Sequence, residues 1–172
     1  MIALLRKRRS IRKFLNKKIT PKTIRILQES LLRSPSSRDN KPWYFIFVNN
    51  TQLLNKLSRC KKHGSSFLAS APLGIVVCGD EQLSDVWVED CSIAGILVQM
   101  VALSCGLGSC WIQIRNRETG DGTSSEAYVR GLLKIPCHLR ICLIVAIGHP
   151  AEKKMPIPLK KLCCKKIRLN EF

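Results

Sequence analysis

The stretch at residues 85–105 limits most strongly what this chain can fold into. It reads as the longest helix of the chain, with Asp85 as its cap and with Glu89 and Asp90 near the positive end of the helix dipole. Apolar residues at helical spacing form one face, and the other faces are apolar as well. A helix that is apolar all round is buried, either in a central core or between two subunits. Gly106 is expected to end it.

Apolar runs elsewhere predict the strands. Residues 43–48 are dense in aromatic and β-branched side chains, which is typical of a strand. Residues 73–78 and 139–147 are apolar enough to be strands buried on both faces, and residues 109–114 form a fourth candidate. Helices and strands alternate without a regular β-α-β repeat, and no linker divides the chain. We therefore predict an α+β fold in a single domain over residues 1–172.

Shorter helices are predicted from their ends. Thr20 is expected to cap a helix that has Pro21 at its first position and stops near Ser34. A second helix is predicted over 51–61 with Thr51 as its cap, and a third over 126–133. The segment between 115 and 125 is polar and contains glycine, which indicates a loop.

The charge is concentrated at the two ends of the chain. Lysine and arginine number 29 against 12 acidic residues, giving a net charge of +17. Such an excess attracts polyanions in general. Three interpretations are open: a nucleic-acid surface, two ends that meet around one anionic ligand, or a solvated surface that keeps the protein soluble.

The nine cysteines are typical of a protein kept in a reducing compartment. Their number is odd and several lie within apolar runs, so we expect buried free thiols and a cytoplasmic location. No Cys/His spacing matches a metal site. We also expect no membrane span, because the best apolar run, 93–103, is short and contains Gln99.

The segment at residues 8–14 carries the clearest chemistry. Arg8, Arg9 and Arg12 place three guanidinium groups around the hydroxyl of Ser10. Guanidinium forks match phosphate oxygens two hydrogen bonds at a time, and a hydroxyl adds another. The segment therefore predicts a site for a phosphate group on a small ligand.

Four segments in the same order resemble the nitroreductase family of FMN-dependent oxidoreductases. They are residues 8–14, 34–45, 106–111 and 128–152, the last with a gap between 136 and 144. The resemblance implies a central, mostly antiparallel sheet flanked by helices. It also implies an intertwined homodimer with FMN at the subunit interface and NAD(P)H as the co-substrate.

The resemblance also implies which residues bind the cofactor. The first motif would hold the FMN phosphate and ribityl chain, and a loop of the second subunit would reach the flavin ring. In that loop Lys41 stands where many relatives have glutamine, so a cation would lie near the N1–C2=O edge of the ring. The implied residues of the motif and loop are Arg8, Arg9, Ser10, Arg12, Pro35, Ser36, Ser37, Asn40 and Lys41.

Two further pairs of residues follow from the same resemblance. Gln113 and Ile114 align with the segment whose backbone faces flavin N5, the atom that accepts and gives hydride. A plain core strand is the alternative there. Lys160 and Lys161 align near late basic residues that close on the phosphate, which would explain why both ends of the chain are basic.

The predicted function is reduction of nitroaromatics, quinones or related small oxidants by NAD(P)H in a ping-pong cycle. The sequence contains no nucleophile–His–Asp set and no carboxylate pair, and flavin chemistry requires no side-chain acid or base. A flavin-binding sensor or carrier with little turnover remains an alternative. A basic nucleic-acid-binding protein is a weaker one, since the chain lacks the aromatic platform of such modules.

Overall fold

The sheet at the centre of the computed structural model, which describes residues 1–172, has four antiparallel strands. In space the strands follow the order β1-β2-β4-β3, so β2 and β4 are central and β1 and β3 are edges. This confirms the predicted α+β fold. The strands are β1 (Trp43–Val48), β2 (Leu73–Asp80), β3 (Gly108–Gln113) and β4 (Leu139–Gly148).

Helices cover both faces of the sheet. On one face, α2 and α4 pack against side chains such as Ile75 and Val145. On the other, α3 and α5 pack against side chains such as Val76 and Ile144. The central strands are buried on both faces, which accounts for their apolar runs. The helices are α1 (Ile2–Lys7), α2 (Pro21–Leu32), α3 (Thr51–Leu57), α4 (Trp87–Ser104) and α5 (Ser125–Leu133).

The helix caps were predicted correctly at α2 but not at α3. Thr20 caps α2, its hydroxyl accepting a hydrogen bond from the Thr23 amide at 3.2 Å. In α3 the cap is Asn50 rather than Thr51, because the Asn50 side chain accepts from the Leu53 amide at 3.0 Å. The short helix α1 was not predicted, since it has no side-chain cap and no buried residue.

The long helix α4 begins two residues later than predicted. Asp85 does not cap it, because the Trp87 amide donates to the Ser84 carbonyl in a turn that precedes the helix. At the other end Gly106 has a φ of +74° and ends the helix as predicted. By length and composition α4 could cross a membrane, with a mean hydropathy of 1.3, but half of it is buried inside the molecule.

Candidate functional site

The N-terminal segment is held against one end of the sheet by backbone hydrogen bonds. The Ile11 amide donates to the Ser109 carbonyl at 2.9 Å, beside β3. The Ala151 amide donates to the Lys13 carbonyl at 2.8 Å, just after β4. The segment from 8 to 14 therefore lies where β3 begins and β4 ends, and the two basic ends of the chain meet there.

Two glycines allow this close approach. Gly108 and Gly148 face each other across β3 and β4. A Cβ on Gly108 would lie 2.9 Å from the Ile11 Cβ, and one on Gly148 would lie 2.9 Å from the Phe14 Cδ1. Both distances are too short for a side chain, so these positions need glycine. Both glycines lie within the segments that resemble the family, 106–111 and 128–152.

The meeting point carries a cluster of positive charge, which we call the terminal basic cluster and define as Arg8, Arg9, Arg12, Lys153 and Lys154; of these, Lys154 pairs with Glu152 at 3.4 Å. A groove of about 190 Å³ runs along it and is lined also by Leu103, from the last turn of α4. None of the three arginines forms an ion pair. This charge is therefore free to bind an anion.

Backbone and side-chain contacts fix the cluster. The Lys154 ammonium donates to the Ser10 carbonyl at 2.7 Å, and the Arg9 guanidinium donates to the Met155 carbonyl. The Glu152 carboxylate accepts from the backbone amides of Arg12 and Lys13. The Arg12 amide holds the pKa of Glu152 below its ordinary value, so the carboxylate stays charged and ties the tail to the N-terminal segment.

The structure does not bring Lys160 and Lys161 to this cluster. Both are exposed in a short turn of the tail, and neither takes part in an ion pair. Within this single chain, Lys154 is the late lysine that contacts the N-terminal segment. The basic pair at 153–154, close behind the β4 strand, was the signal in the sequence that could have identified it.

The loop that follows α2 is anchored at the opposite end of α4. Asp90, which is 2% exposed, accepts from the Ser37 amide at 2.9 Å and from the Ser84 hydroxyl at 3.1 Å. The Asn40 side chain donates to the Leu83 carbonyl at 2.9 Å. Pro35 and Ser36 precede these anchored residues, so the backbone of the whole loop is fixed.

Backbone strain in this loop accompanies that anchoring. Arg38, Asp39 and Lys41 have φ values of +52°, +59° and +49°, although none is glycine. Such conformations persist only where the surroundings enforce them, and they are frequent at functional sites. The Lys41 amide donates to the Ser36 hydroxyl at 2.8 Å, and its ammonium pairs with exposed Asp39 at 2.8 Å.

Within one chain the loop and the terminal basic cluster are far apart. Asp90 anchors the loop and Leu103 lines the groove, and the helix rise places these residues about 20 Å apart along α4. A single chain therefore does not unite the two groups of residues.

At the end of β3, the backbone amide that faces the open edge of the sheet is that of Gln113 and not that of Ile114. The Ile114 amide donates to the Cys142 carbonyl at 3.1 Å, and its side chain is fully buried. For Ile114 the geometry therefore supports the alternative to an N5 contact, a residue of a plain core strand. Because backbone groups alternate along an antiparallel strand, the Gln113 amide points away from β4.

The side chains on this edge are locked. The Gln113 carboxamide accepts from the Trp111 indole at 3.0 Å and donates to the Arg115 carbonyl at 3.1 Å. The Arg115 guanidinium lies over the Trp87 ring, 5.9 Å from its centre. The edge from Ser109 to Gln113 is thus a rigid border that starts at the terminal basic cluster.

A second charged cluster lies beyond this edge, which we call the Glu126 cluster and define as Glu126, Arg130, Arg140 and Glu81. Glu126 pairs with Arg140 at 2.8 Å and with Arg130 at 3.0 Å, and Arg140 pairs with Glu81 at 2.9 Å. Burial raises the pKa of Glu126, but the Arg140 hydrogen bond and the other donors outweigh it and lower the pKa overall.

The thiols offer little chemistry. All nine cysteines are free. Burial raises the pKa of Cys60 to about 11 and that of Cys78 to about 12, which keeps these thiols protonated. No group of three or more metal-ligating side chains lies close enough to hold a metal ion.

Known proteins are similar to this chain in both fold and sequence. The profile of the Nitroreductase family matches residues 5–64 and 56–149. An FMN-dependent nitroreductase from Clostridium difficile R20291 superposes with a TM-score of 0.97 at 40% identity, with all of both chains covered. The chain therefore has the α+β fold of these relatives and belongs to the nitroreductase family.

Two relatives agree with this assignment. Proteins from Methanothermobacter thermautotrophicus and Archaeoglobus fulgidus both carry the provisional name NADH dehydrogenase/NAD(P)H nitroreductase. The first is 32% identical over 88% of this chain and 78% of its own length. The second is 33% identical over 86% of this chain and 83% of its own length.

Proposed function

We propose that this chain is an FMN-dependent oxidoreductase that uses NAD(P)H to reduce nitroaromatics, quinones or related small oxidants. The observation that carries the proposal is the terminal basic cluster, whose arginines have no acidic partner and lie beside an open sheet edge. Family membership and the FMN-dependent relative support the cofactor.

The residues present fit the chemistry of FMN. Arg8, Arg12 and Lys154 would bind the phosphate, with the Ser10 hydroxyl as an additional donor. The border along β3 would lie beside the rest of the cofactor, and the Gln113 amide would donate to flavin N5. This assignment moves the N5 contact from Ile114 to Gln113, since the Ile114 amide is already bonded within the sheet.

When bound, FMN supplies the redox chemistry, taking hydride from NAD(P)H and passing it to the oxidant. The chain contributes binding and orientation. The Gln113 carboxamide, held by Trp111, keeps the β3 edge rigid, and the strained loop would present Ser36, Ser37 and Asn40 to the polar edge of the ring. Lys41 would lie near that edge, where its ammonium would favour the negatively charged state of the ring only if it left its pair with Asp39.

A homodimer would complete this site. The loop and the terminal basic cluster belong to opposite ends of α4, so a second copy packed antiparallel along α4 would bring one subunit's loop to the other's cluster. Ile93 and Ile96 on α4 are 39% and 38% exposed, which suits such a contact. From Met155 onward the tail exposes seven large apolar residues. These residues, which would pack against the partner, are Met155, Ile157, Leu159, Leu162, Ile167, Leu169 and Phe172.

Purified protein tests the proposal directly. We expect a yellow solution that releases FMN on denaturation, bleaches with NAD(P)H and recovers its colour with a quinone, at the mass of a dimer by light scattering. A colourless folded monomer that ignores added FMN contradicts the proposal.

The same experiment addresses the alternative of a flavin sensor or carrier. The loop at 115–125 closes on itself, with the Ser125 amide donating to the Arg117 carbonyl at 2.8 Å, and it adds no helix that would cover a substrate. Bound FMN that bleaches too slowly for turnover would favour that alternative. A cytoplasmic location, which we also propose, suits the nine free thiols.

A further inference from the structure

A second, larger groove lies next to the proposed flavin site. It has a volume of about 730 Å³ and no hydrophobic side chain in its lining. Two loops form it, one before the strand β2 and one after β3, and the Lys62 amide joins them by donating to the Glu118 carbonyl at 2.9 Å. The size lies within the range of small-molecule sites. The residues that line the groove are Lys61, Lys62, His63, Asn116, Arg117, Glu118, Ser124, Glu126 and Arg140.

The groove carries uncompensated positive charge. On its floor, Glu126 and Arg140 pair with each other at 2.8 Å, so these two contribute no net charge. Of the remaining lining residues, Lys61, Lys62 and Arg117 are cationic and form no ion pair, while Glu118 is the one acid. The surplus matches a phosphate group, and the lack of apolar lining suits phosphate better than a nucleobase.

The chain connects this groove to the flavin site. Asn116 and Arg117 come three and four residues after Gln113, where β3 ends. The other loop leads to Phe67, and the Arg12 guanidinium of the terminal basic cluster lies 5.8 Å from the centre of that ring. A dinucleotide that reached the flavin over the end of β3 would thus place its far end toward the groove.

From this juxtaposition we infer that the groove binds the 2′-phosphate of NADPH and thereby selects NADPH over NADH. The inference rests on the proposed function. The oxygens of the 2′-phosphate would accept from the ammonium groups of Lys61 and Lys62 and from the Arg117 guanidinium. NADH lacks this phosphate and would leave these donors unused.

The test compares the two co-substrates in the FMN-loaded protein. The variant K61A/K62A/R117A should lose about tenfold or more in kcat/KM for NADPH, as expected for lost charge-assisted hydrogen bonds. Its kcat/KM for NADH should change less than about threefold, as should its Kd for FMN. The control K18A/K22A/R25A removes the same charge from exposed positions outside the groove and should leave the NADPH/NADH ratio unchanged.

Ligand binding gives a readout independent of turnover. By calorimetry, 2′,5′-ADP should bind the wild type more tightly than 5′-AMP, and this difference should disappear in K61A/K62A/R117A. An unchanged NADPH/NADH ratio with no preference for 2′,5′-ADP overturns the inference while the proposed function stands. A triple variant that loses binding of single-stranded RNA but keeps its NADPH/NADH ratio also overturns it. Failure of wild type with both co-substrates would instead contradict the proposed function.

Discussion

At the Glu126 cluster the arginines are paired with carboxylates, whereas at the terminal basic cluster the arginines have none. Arg140 contacts both Glu126 and Glu81. Arg8 and Arg12, by contrast, are held in place through the backbone around them, where Glu152 and Ser109 accept amide hydrogen bonds. The Glu126 carboxyl is mostly buried at 14% side-chain exposure, while Arg12 is exposed.

This difference separates charges that stabilise the fold from charges that can bind a ligand. Removing Glu126 leaves the partly buried Arg130 guanidinium without a counter-charge and Arg140 with Glu81 alone, which costs stability. Removing a guanidinium from the terminal basic cluster breaks no ion pair and should affect only an anion bound there. The predictions that follow test this contrast.

The largest effect is expected at the terminal basic cluster. The variant R8A/R12A should bind FMN about 100-fold more weakly or worse, because each lost charge-assisted bond contributes about 1.5–3 kcal/mol. Its free energy of unfolding should stay within about 0.5 kcal/mol of wild type. Titration by flavin fluorescence measures the affinity, with riboflavin, which lacks the phosphate, as the control. Equal losses for FMN and riboflavin would refute a phosphate contact.

The opposite result is expected at the Glu126 cluster. Glu126→Ala should lower the free energy of unfolding by about 2 kcal/mol, less than for a fully buried pair because Arg130 and Arg140 are 24% and 36% exposed. Urea denaturation at neutral pH measures this, and FMN affinity of the folded variant should not change. Glu29→Ala breaks the exposed pair with Arg33 and should cost at most about 0.5 kcal/mol. Equal losses in both variants would show that burial does not distinguish the pairs.

A third comparison separates the late lysines. Lys154→Ala should weaken FMN binding about tenfold, since its ammonium is fixed beside Ser10 where the phosphate is proposed to bind. The variant K160A/K161A should stay within about twofold of wild type, because both side chains are exposed in the tail. If the double variant proves the weaker binder, the tail must reach the phosphate in the assembled protein.

The smallest effect concerns pH. The pKa of Glu126 is lowered in the folded protein, so its contribution to stability is present above the unfolded-state pKa of about 4.3 and is lost as the pH falls through the folded value. Glu126→Gln should therefore flatten the decline in urea midpoint between about pH 5 and pH 3. Glu152→Gln should flatten this decline less, since the Glu152 side chain is more exposed than that of Glu126. Identical slopes in wild type and E126Q would contradict this assignment.

Much of the fold could be predicted from local patterns. The runs at β2 and β4 are apolar because both strands are buried on both faces. The all-apolar helix α4 packs against the sheet with about half of its residues buried and leaves Ile93 and Ile96 exposed within one chain. Helix starts were less predictable. Asn50 caps α3 where Thr51 was predicted, and a turn at Ser84 precedes α4 where Asp85 was predicted as the cap. Both errors arise because polar residues able to cap a helix are adjacent in the chain.

The residues of the candidate site were likewise predictable only in part. The residues of the phosphate motif, Arg8 to Arg12, could be identified from the sequence because guanidinium and hydroxyl groups at close spacing indicate an anion site whatever the surrounding fold. The partners of that motif could not. Lys154 rather than Lys160 or Lys161 joins it because Glu152 binds the Arg12 and Lys13 amides and brings the tail to the N-terminal segment at that point.

The sequence by itself determined the class of fold and the family and predicted the type of ligand group, because these depend on residue types and their local spacing. Only the tertiary structure decided which amide of the pair Gln113 and Ile114 is free, since that depends on which side of β3 carries β4. It alone decided that the arginines near Glu126 are neutralised while those near Ser10 are not. The physical reason is that partners distant in sequence decide whether an amide is hydrogen-bonded and whether a charge is ion-paired, and only folding brings those partners together.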